Sequence, residues 1–320
     1  MEKLKKSLSS LFIKLLVVAF AISFFSVAFA KMKIIVVSHG TAADPFWSVA
    51  KNAVSQAEKD FRRSDGLRVY YRAPATFDMV EMSRLIDQAV AEKPDGIVVT
   101  IPDANALGPA IRNAVKAGIP VISMNSGSDV YESLGVSAHV GQTEYEAGLG
   151  AGKRMKALGG SKAIVINHEV GNVALDLRGD GFKKGMGGSV TIVGVSKDPN
   201  EIKAAVSARL RQDSGIDAVL ALGPDAAHPT HEAIKELGKL GSIKLASFDL
   251  SPQLLEAATK KEVVFLIDQQ QYLQGYLPIA ILVQHKRYNT MPAGVVQTGP
   301  GFVTPDNAAR VIALAKKGYR

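Results

Sequence analysis

Cysteine is absent from all 320 residues, which excludes a disulfide framework and a lipid-modified cysteine anchor, so the folded state must be held by its core alone. No Gly-Lys-Ser/Thr phosphate loop occurs. The one glycine-rich stretch, Gly148-Leu149-Gly150-Ala151-Gly152, precedes a strand-like run where a dinucleotide fingerprint must follow one. Neither nucleotide nor other cofactor binding is expected. Basic residues never run longer than two and are not interleaved with aromatics, so the formal charge of +8 reads as that of a soluble basic protein without nucleic-acid partners. A nucleophile paired with a base and a third orienting group is also missing, which argues against an enzyme. His228 and His231 stand one helical turn apart beside Glu232, but histidines at a helix start near a proline are read as solvated or capping, and no metal site is expected.

What is present begins with a leader. Lys3, Lys5 and Lys6 precede an apolar run from Leu11 to Phe25 and then Ala28-Phe29-Ala30, the order of a secretory signal peptide spanning residues 1–30. The apolar run is short for a bilayer span and is followed at once by small residues, so cleavage after Ala30 is expected rather than anchoring. The remaining 290 residues carry a formal charge of +5, and a chain of that length with 47% apolar residues can bury one large or two medium cores.

Short β-branched runs then alternate with stretches of helical apolar spacing. Strands are expected at 33–38, 67–71, 96–101, 121–124, 163–167, 190–195, 218–222 and 244–248, separated by helices such as the one carrying Val80, Leu85, Ile86, Ala89 and Val90. Continuous apolar strands separated by helices imply an α/β fold with parallel sheets covered on both faces. The pattern occurs twice. Lys33-Ile34-Ile35-Val36-Val37-Ser38-His39 matches Lys162-Ala163-Ile164-Val165-Ile166-Asn167-His168; Pro102-Asp103-Ala104 matches Pro224-Asp225-Ala226; and Ser123-Met124-Asn125-Ser126 matches Ser247-Phe248-Asp249-Leu250. Two similar Rossmann-like lobes follow. Ligands of open parallel sheets bind beyond the carboxyl ends of the strands, so His39 with His168, Pro102 with Pro224, and Asn125 with Asp249 line one shared cleft if the lobes face each other.

The chemistry at those strand ends suits a neutral polyhydroxylated ligand. Asp44-Pro45-Phe46-Trp47 brings a carboxylate beside two aromatic rings at a helix start, and sugars pack C–H faces on rings while their hydroxyls take directed hydrogen bonds. Either ring could instead serve as core. Arg178 offers a planar fork of donors, unless it is an ordinary surface arginine.

In order and spacing these segments, with Pro94-Asp95-Gly96-Ile97, Ala117-Gly118-Ile119-Pro120-Val121-Ile122 and Gly141-Gln142, resemble the ribose- and galactose-type periplasmic sugar-binding proteins of type I, over essentially all of the chain after residue 30. The resemblance implies an exported, monomeric periplasmic protein, hinged around a central cleft, that captures a sugar or polyol for an ABC permease and can also engage a chemoreceptor. It implies lobes at 31–140 plus 270–298 and 141–269 plus 299–320, and a ligand site of Asp44, Phe46, Trp47, Asn125, Arg178, Asp249 and Gln269, with His39, His168 and Pro224 as further candidates. The chain departs from the family where an aspartate–arginine pair is usual and Asn125-Ser126 stands instead, and where asparagine–aspartate is frequent and Gly223-Pro224 stands. Both departures disfavour ribose. The Gly223-Pro224-Asp225-Ala226 stretch is similar to that of autoinducer-2-binding relatives, which makes such a signal the alternative ligand. Lac-repressor-like regulators share the effector fold, but the leader stands where their DNA-binding helices would be.

Overall fold

The computed structural model describes residues 31–40 and 43–320; the expected leader lies outside them. Each strand of the sheet centres is a short run of buried, mostly apolar residues, and six of the helices start where a side chain caps them. The first half runs β1 (Lys33–Val37), α1 (Pro45–Asp65), β2 (Arg68–Arg72), α2 (Met79–Ala91), β3 (Gly96–Val99), α3 (Ala104–Lys116), β4 (Val121–Met124) and β5 (Ala138–Gly141). The second runs α4 (Glu144–Ala157), β6 (Lys162–Asn167), α5 (Val173–Met186), β7 (Ser189–Gly194), α6 (Pro199–Gln212), β8 (Ala218–Ala221), α7 (Pro224–Glu236), β9 (Lys244–Phe248), α8 (Pro252–Thr259) and β10 (Phe265–Asp268). The chain closes with α9 (Gln271–Tyr288), β11 (Val295–Gln297), β12 (Gly301–Val303) and α10 (Ala309–Lys316). Asp44, Asp78, Asp103, Asn172, Asp198 and Ser251 each accept a main-chain N–H from the first turn they precede, which satisfies donors that a helix start otherwise leaves open.

Two six-stranded sheets result, ordered β11-β5-β4-β3-β1-β2 and β12-β10-β9-β8-β6-β7. All pairs are parallel except β10 with β12. The α/β fold of two similar lobes is therefore as expected. Beyond the eight expected strands stand β5, β10, β11 and β12, each of three or four residues, too short to show a hydrophobic period. The chain passes from one sheet to the other after β5, after β10 and between β11 and β12. Each sheet is covered on both faces: Ile35, Val37, Ile97 and Val99 face Ile86 and Ile111, while Ile34, Val36 and Val98 face Trp47 and Leu282.

The glycine-rich stretch lies within α4. A Cβ on Gly148 would stand 2.1 Å from the Arg178 carbonyl oxygen of α5, and one on Gly181 equally close to that of Tyr145. Backbone meets backbone here, which only glycine permits. The contact brings Glu144 at the start of α4 against Arg178 on α5.

Candidate functional site

Beyond the carboxyl ends of both sets of strands lies a cavity, where ligands of open parallel sheets bind. Ten of the eleven cleft residues singled out from sequence line it, together with Glu169, Asn172, Leu175, Leu222, Gly223 and Asp225. Pro102, the repeat partner of Pro224, does not. Its carbonyl instead accepts the Val173 N–H at 3.1 Å, a main-chain bond from one lobe to the other that marks a closed cleft.

The repeat explains the floor. Asn125 and Asp249 follow equivalent strands and both adopt left-handed backbone, with φ of 63° and 65°, a region that asparagine and aspartate tolerate better than other side chains with a Cβ. Each donates its main-chain N–H to the neighbouring strand, Asn125 to Val140 and Asp249 to Ile267. Their side chains meet through the crossover: Gln269 Nε2 donates to Asp249 Oδ1 at 2.7 Å, and Asn125 Nδ2 donates to Gln269 Oε1 at 3.2 Å. Gln274 Nε2 donates to the same Gln269 oxygen at 3.0 Å and to Thr298 Oγ1 at 3.1 Å, tying two of the crossovers together.

Phe46 and Trp47 sit in the first turn of α1 and meet edge to face with ring centres 4.9 Å apart. Both are buried in the core and line the cavity as well, so the two readings of these rings hold together. Trp47 also packs edge to face on His39 at 4.8 Å. The Asp44 carboxylate caps the helix through Oδ1, which accepts from Phe46 N–H at 2.8 Å. Burial, then the facing Asp225, push its pKa up to about 7, against the pull of Lys197.

Arg178 is buried, not a surface arginine, and most of its fork faces away from the cavity. Nε and Nη2 donate to the two Glu144 carboxylate oxygens at 2.6 and 3.0 Å, and Nη1 donates to the Leu222 carbonyl at 3.2 Å. The guanidinium lies over the Phe248 ring, 4.5 Å from its centre, and Nη1 is 4.0 Å from Asp249 Oδ2. The planar fork is thus engaged within its own lobe: the helix contact at Gly148 delivers Glu144 as its partner. Asp249 consequently keeps an oxygen without a close cation, and burial pushes its pKa up to about 7 although Arg178 and Gln269 pull it down.

A second charge group spans the two lobes. Lys197, in the loop after β7, donates to Glu169 Oε1 at 2.6 Å and lies 3.6 Å from Asp44 Oδ2. Asn172 Nδ2 donates to Glu169 Oε2 at 2.7 Å, and His39 Nε2 stands 3.7 Å from the same oxygen. The Thr100 hydroxyl accepts the His39 main-chain N–H at 3.0 Å and lies 2.9 Å from Nδ1. Burial lowers the His39 pKa to about 4, so at neutral pH this is a neutral imidazole beside a carboxylate. Burial also lowers the pKa of His168, whose Nδ1 has no hydrogen-bond partner among the described residues. His228 and His231, away from the cavity, lie within hydrogen-bonding distance of Ser251 Oγ at 2.8 Å and Glu262 Oε2 at 2.9 Å. Among the described residues no group of three acidic or histidine side chains is placed to hold a metal.

Glu144, Glu169, Lys197 and Asp225 were not singled out from sequence. Only two carried a signal: Asp225 lies within the matched Pro224-Asp225-Ala226 segment, and Glu169 adjoins His168.

Comparison with known proteins follows the same lines. The family model described as a periplasmic binding protein domain matches residues 34–289. A carbohydrate transporter from Acidothermus cellulolyticus, solved in complex with myo-inositol, superposes with a TM-score of 0.85 at 32% identity, covering 91% of this chain and 100% of that one. A xylose/arabinose-binding protein of Sulfolobus acidocaldarius is 24% identical over 249 residues, 72% of this chain and 62% of that protein. A D-ribose/D-allose-binding protein of Pseudomonas aeruginosa is 26% identical over 187 residues, 54% of this chain and 57% of that protein. The match thus spans about three-fifths of the length of either curated relative.

Proposed function

The chain belongs to the periplasmic binding protein domain family, and from that premise we propose that it captures a neutral sugar or cyclic polyol between its lobes and presents the closed complex to an ABC permease. The observation that carries this reading is the lining of the cavity: aromatic rings from one lobe stand opposite carboxylates and amides from both. Rings suit C–H faces, and Asp44, Asp249, Asn125, Gln269 and His168 suit hydroxyls.

Within that class a cyclitol of the inositol type ranks first. Charged groups that would clamp an anomeric centre are replaced by Asn125-Ser126 and Gly223-Pro224, Arg178 is held by Glu144, and a cyclitol has no anomeric centre to clamp. The relative from Acidothermus, with its bound myo-inositol, agrees with this. The relatives lend the autoinducer-2 alternative no support.

On this reading the lobes are 31–140 with 270–298 and 141–269 with 299–320, the protein is a monomer exported to the periplasm with its leader removed, and the ten cavity residues foreseen from sequence contact the ligand. It works by binding and not by turnover. Ligand contacts both lobes only when the cleft is shut and so favours the closed shape, which a permease, or a chemoreceptor, reads. The test is a thermal-shift screen of the purified protein with inositols, pentoses, hexoses and sugar alcohols, with autoinducer-2 and amino acids as controls. Ligand at about a thousand times its Kd adds about 4 kcal/mol. A shift confined to inositols or one sugar group supports the reading; no shift with any carbohydrate refutes it.

A further inference from the structure

The ligand cavity does not end blindly. Beyond it, towards the cleft rim, lies a second space, and the two share His39, Asp44, His168, Glu169 and Asp225 as a common partition. Lys197 lines only the outer space, so it does not face the ligand. It nevertheless holds the partition shut, because its ammonium bonds Glu169 of one lobe at 2.6 Å and lies 3.6 Å from Asp44 of the other. In an open cleft the lysine keeps Glu169 and loses Asp44.

We propose that Lys197 is a specificity-determining residue: by clamping Glu169 to Asp44 across the cleft it seals the inner cavity, confines it to a single unsubstituted polyol ring and slows that ring's release. The single-ring part rests on the polyol reading above; the clamp does not. Two features make this more than a rim ion pair. Glu169 is itself buried and fixed by Asn172, so the anion is pre-positioned and the lysine loses little freedom on meeting it. Asp44 caps α1 with its other oxygen, so the clamp pulls on the helix that carries Phe46 and Trp47.

Because the chain has no cysteine, two introduced ones can be labelled without interference. Thr76→Cys and Val170→Cys, exposed on opposite walls of the outer space, would carry spin labels in the ligand-free protein. Lys197→Met is expected to lengthen and broaden the label distance, and Lys197→Arg to restore it; identical distributions for Lys197 and Met overturn the clamp. In parallel, the dissociation of myo-inositol, followed through Trp47 fluorescence, should quicken about threefold in Lys197→Met with little change in association, the pattern of a lost short-range contact rather than of lost steering. The same variant should gain binding of galactosyl-myo-inositol, which the parent excludes. Unchanged release, or a parent that takes the galactoside as well as the free ring, overturns the specificity claim. Should the parent bind no polyol, the polyol reading and the single-ring claim fall together, and the label distances decide the clamp alone.

Discussion

Glu144→Gln isolates what the buried arginine needs. The pair is almost wholly enclosed, with side chains 4% and 1% exposed, and two of the five guanidinium N–H groups go to Glu144. Glutamine fills the same space but leaves the cation facing one carbonyl dipole and a distant Asp249. Removing one member of a buried ion pair costs about 3–5 kcal/mol, and in a chain of this size each kcal/mol moves the melting point by about 2–4 °C, so the variant should melt about 10 °C lower by calorimetry. Its affinity should fall by more than tenfold, because Arg178 then swings towards Asp249 Oδ2, now 4.0 Å away, and takes the oxygen left for a ligand hydroxyl. Adding Arg178→Met removes the stranded cation. That double variant should regain most of the lost stability and, with Asp249 Oδ2 free again, part of the affinity. A Glu144→Gln protein that melts and binds like the parent would refute the claim that this pair builds the site.

Three further outcomes are expected. Trp47 is the only tryptophan and lines the cavity, so a ligand that binds there must change its fluorescence; calorimetric binding with an unaltered emission spectrum would place the ligand elsewhere. Gly→Ala inside a helix ordinarily stabilises by about 0.5–1 kcal/mol, but Gly148→Ala should destabilise by about 2 kcal/mol or more, since its Cβ would meet the Arg178 carbonyl at 2.1 Å; Gly150→Ala, whose Cβ meets only the Phe302 ring at 3.4 Å, is the control and should be neutral or better. In the ligand-free protein the Asp249 pKa is about 7 against an ordinary 3.8, so the folded state holds an extra proton there and loses stability as pH rises through that window. The buried histidines His39 and His139, lowered to about 4 by burial, give the opposite slope between about 4 and 6.5, so the parent's own profile is mixed. Comparison with Asp249→Asn removes them: the variant should gain on the parent from pH 4 to 7 and melt higher at pH 8, and a constant difference across that range would contradict the assignment.

Much of the site was legible because the fold is doubled. A single copy offers many polar residues at strand ends, whereas the register of two copies selects His39 with His168 and Asn125 with Asp249, and these pairs do line one cavity. Phe46 and Trp47 could be read because Asp-Pro before two rings states where a helix begins and which face it turns inward. The residues that escaped share another property: their roles depend on contacts far away in sequence. Glu144 looks like any acidic residue in a first helical turn, which the helix dipole favours without further reason, and its partner lies 34 positions away. Lys197, in Ser196-Lys197-Asp198-Pro199, reads as a solvated loop lysine. Glu169 aligns with Gly40 in the repeat, so comparing the copies for likeness passed over a position where they differ in charge. The crossover strands β11 and β12 were hidden for the converse reason, since three-residue edge strands carry no period to detect.

That divergence in charge shows how one doubled scaffold makes an asymmetric cleft. The lobe built on β1 to β5 brings the aromatic rings and a single carboxylate, Asp44. The other brings both cations, and each already has an anion of its own lobe, Arg178 with Glu144 and Lys197 with Glu169. Pairing within the lobe means that closure need not strip bare charges of water, the step that makes buried ions costly. What closure does bury without a full set of partners is Asp44 and Asp249, both raised to about 7 by that burial. An empty closed cleft therefore has two carboxylates short of donors, and a ring of hydroxyls supplies them from a neutral body that adds no charge of its own. On the proposed reading, a preference for closing around a polyol would follow from that shortage as much as from the fit of the rings.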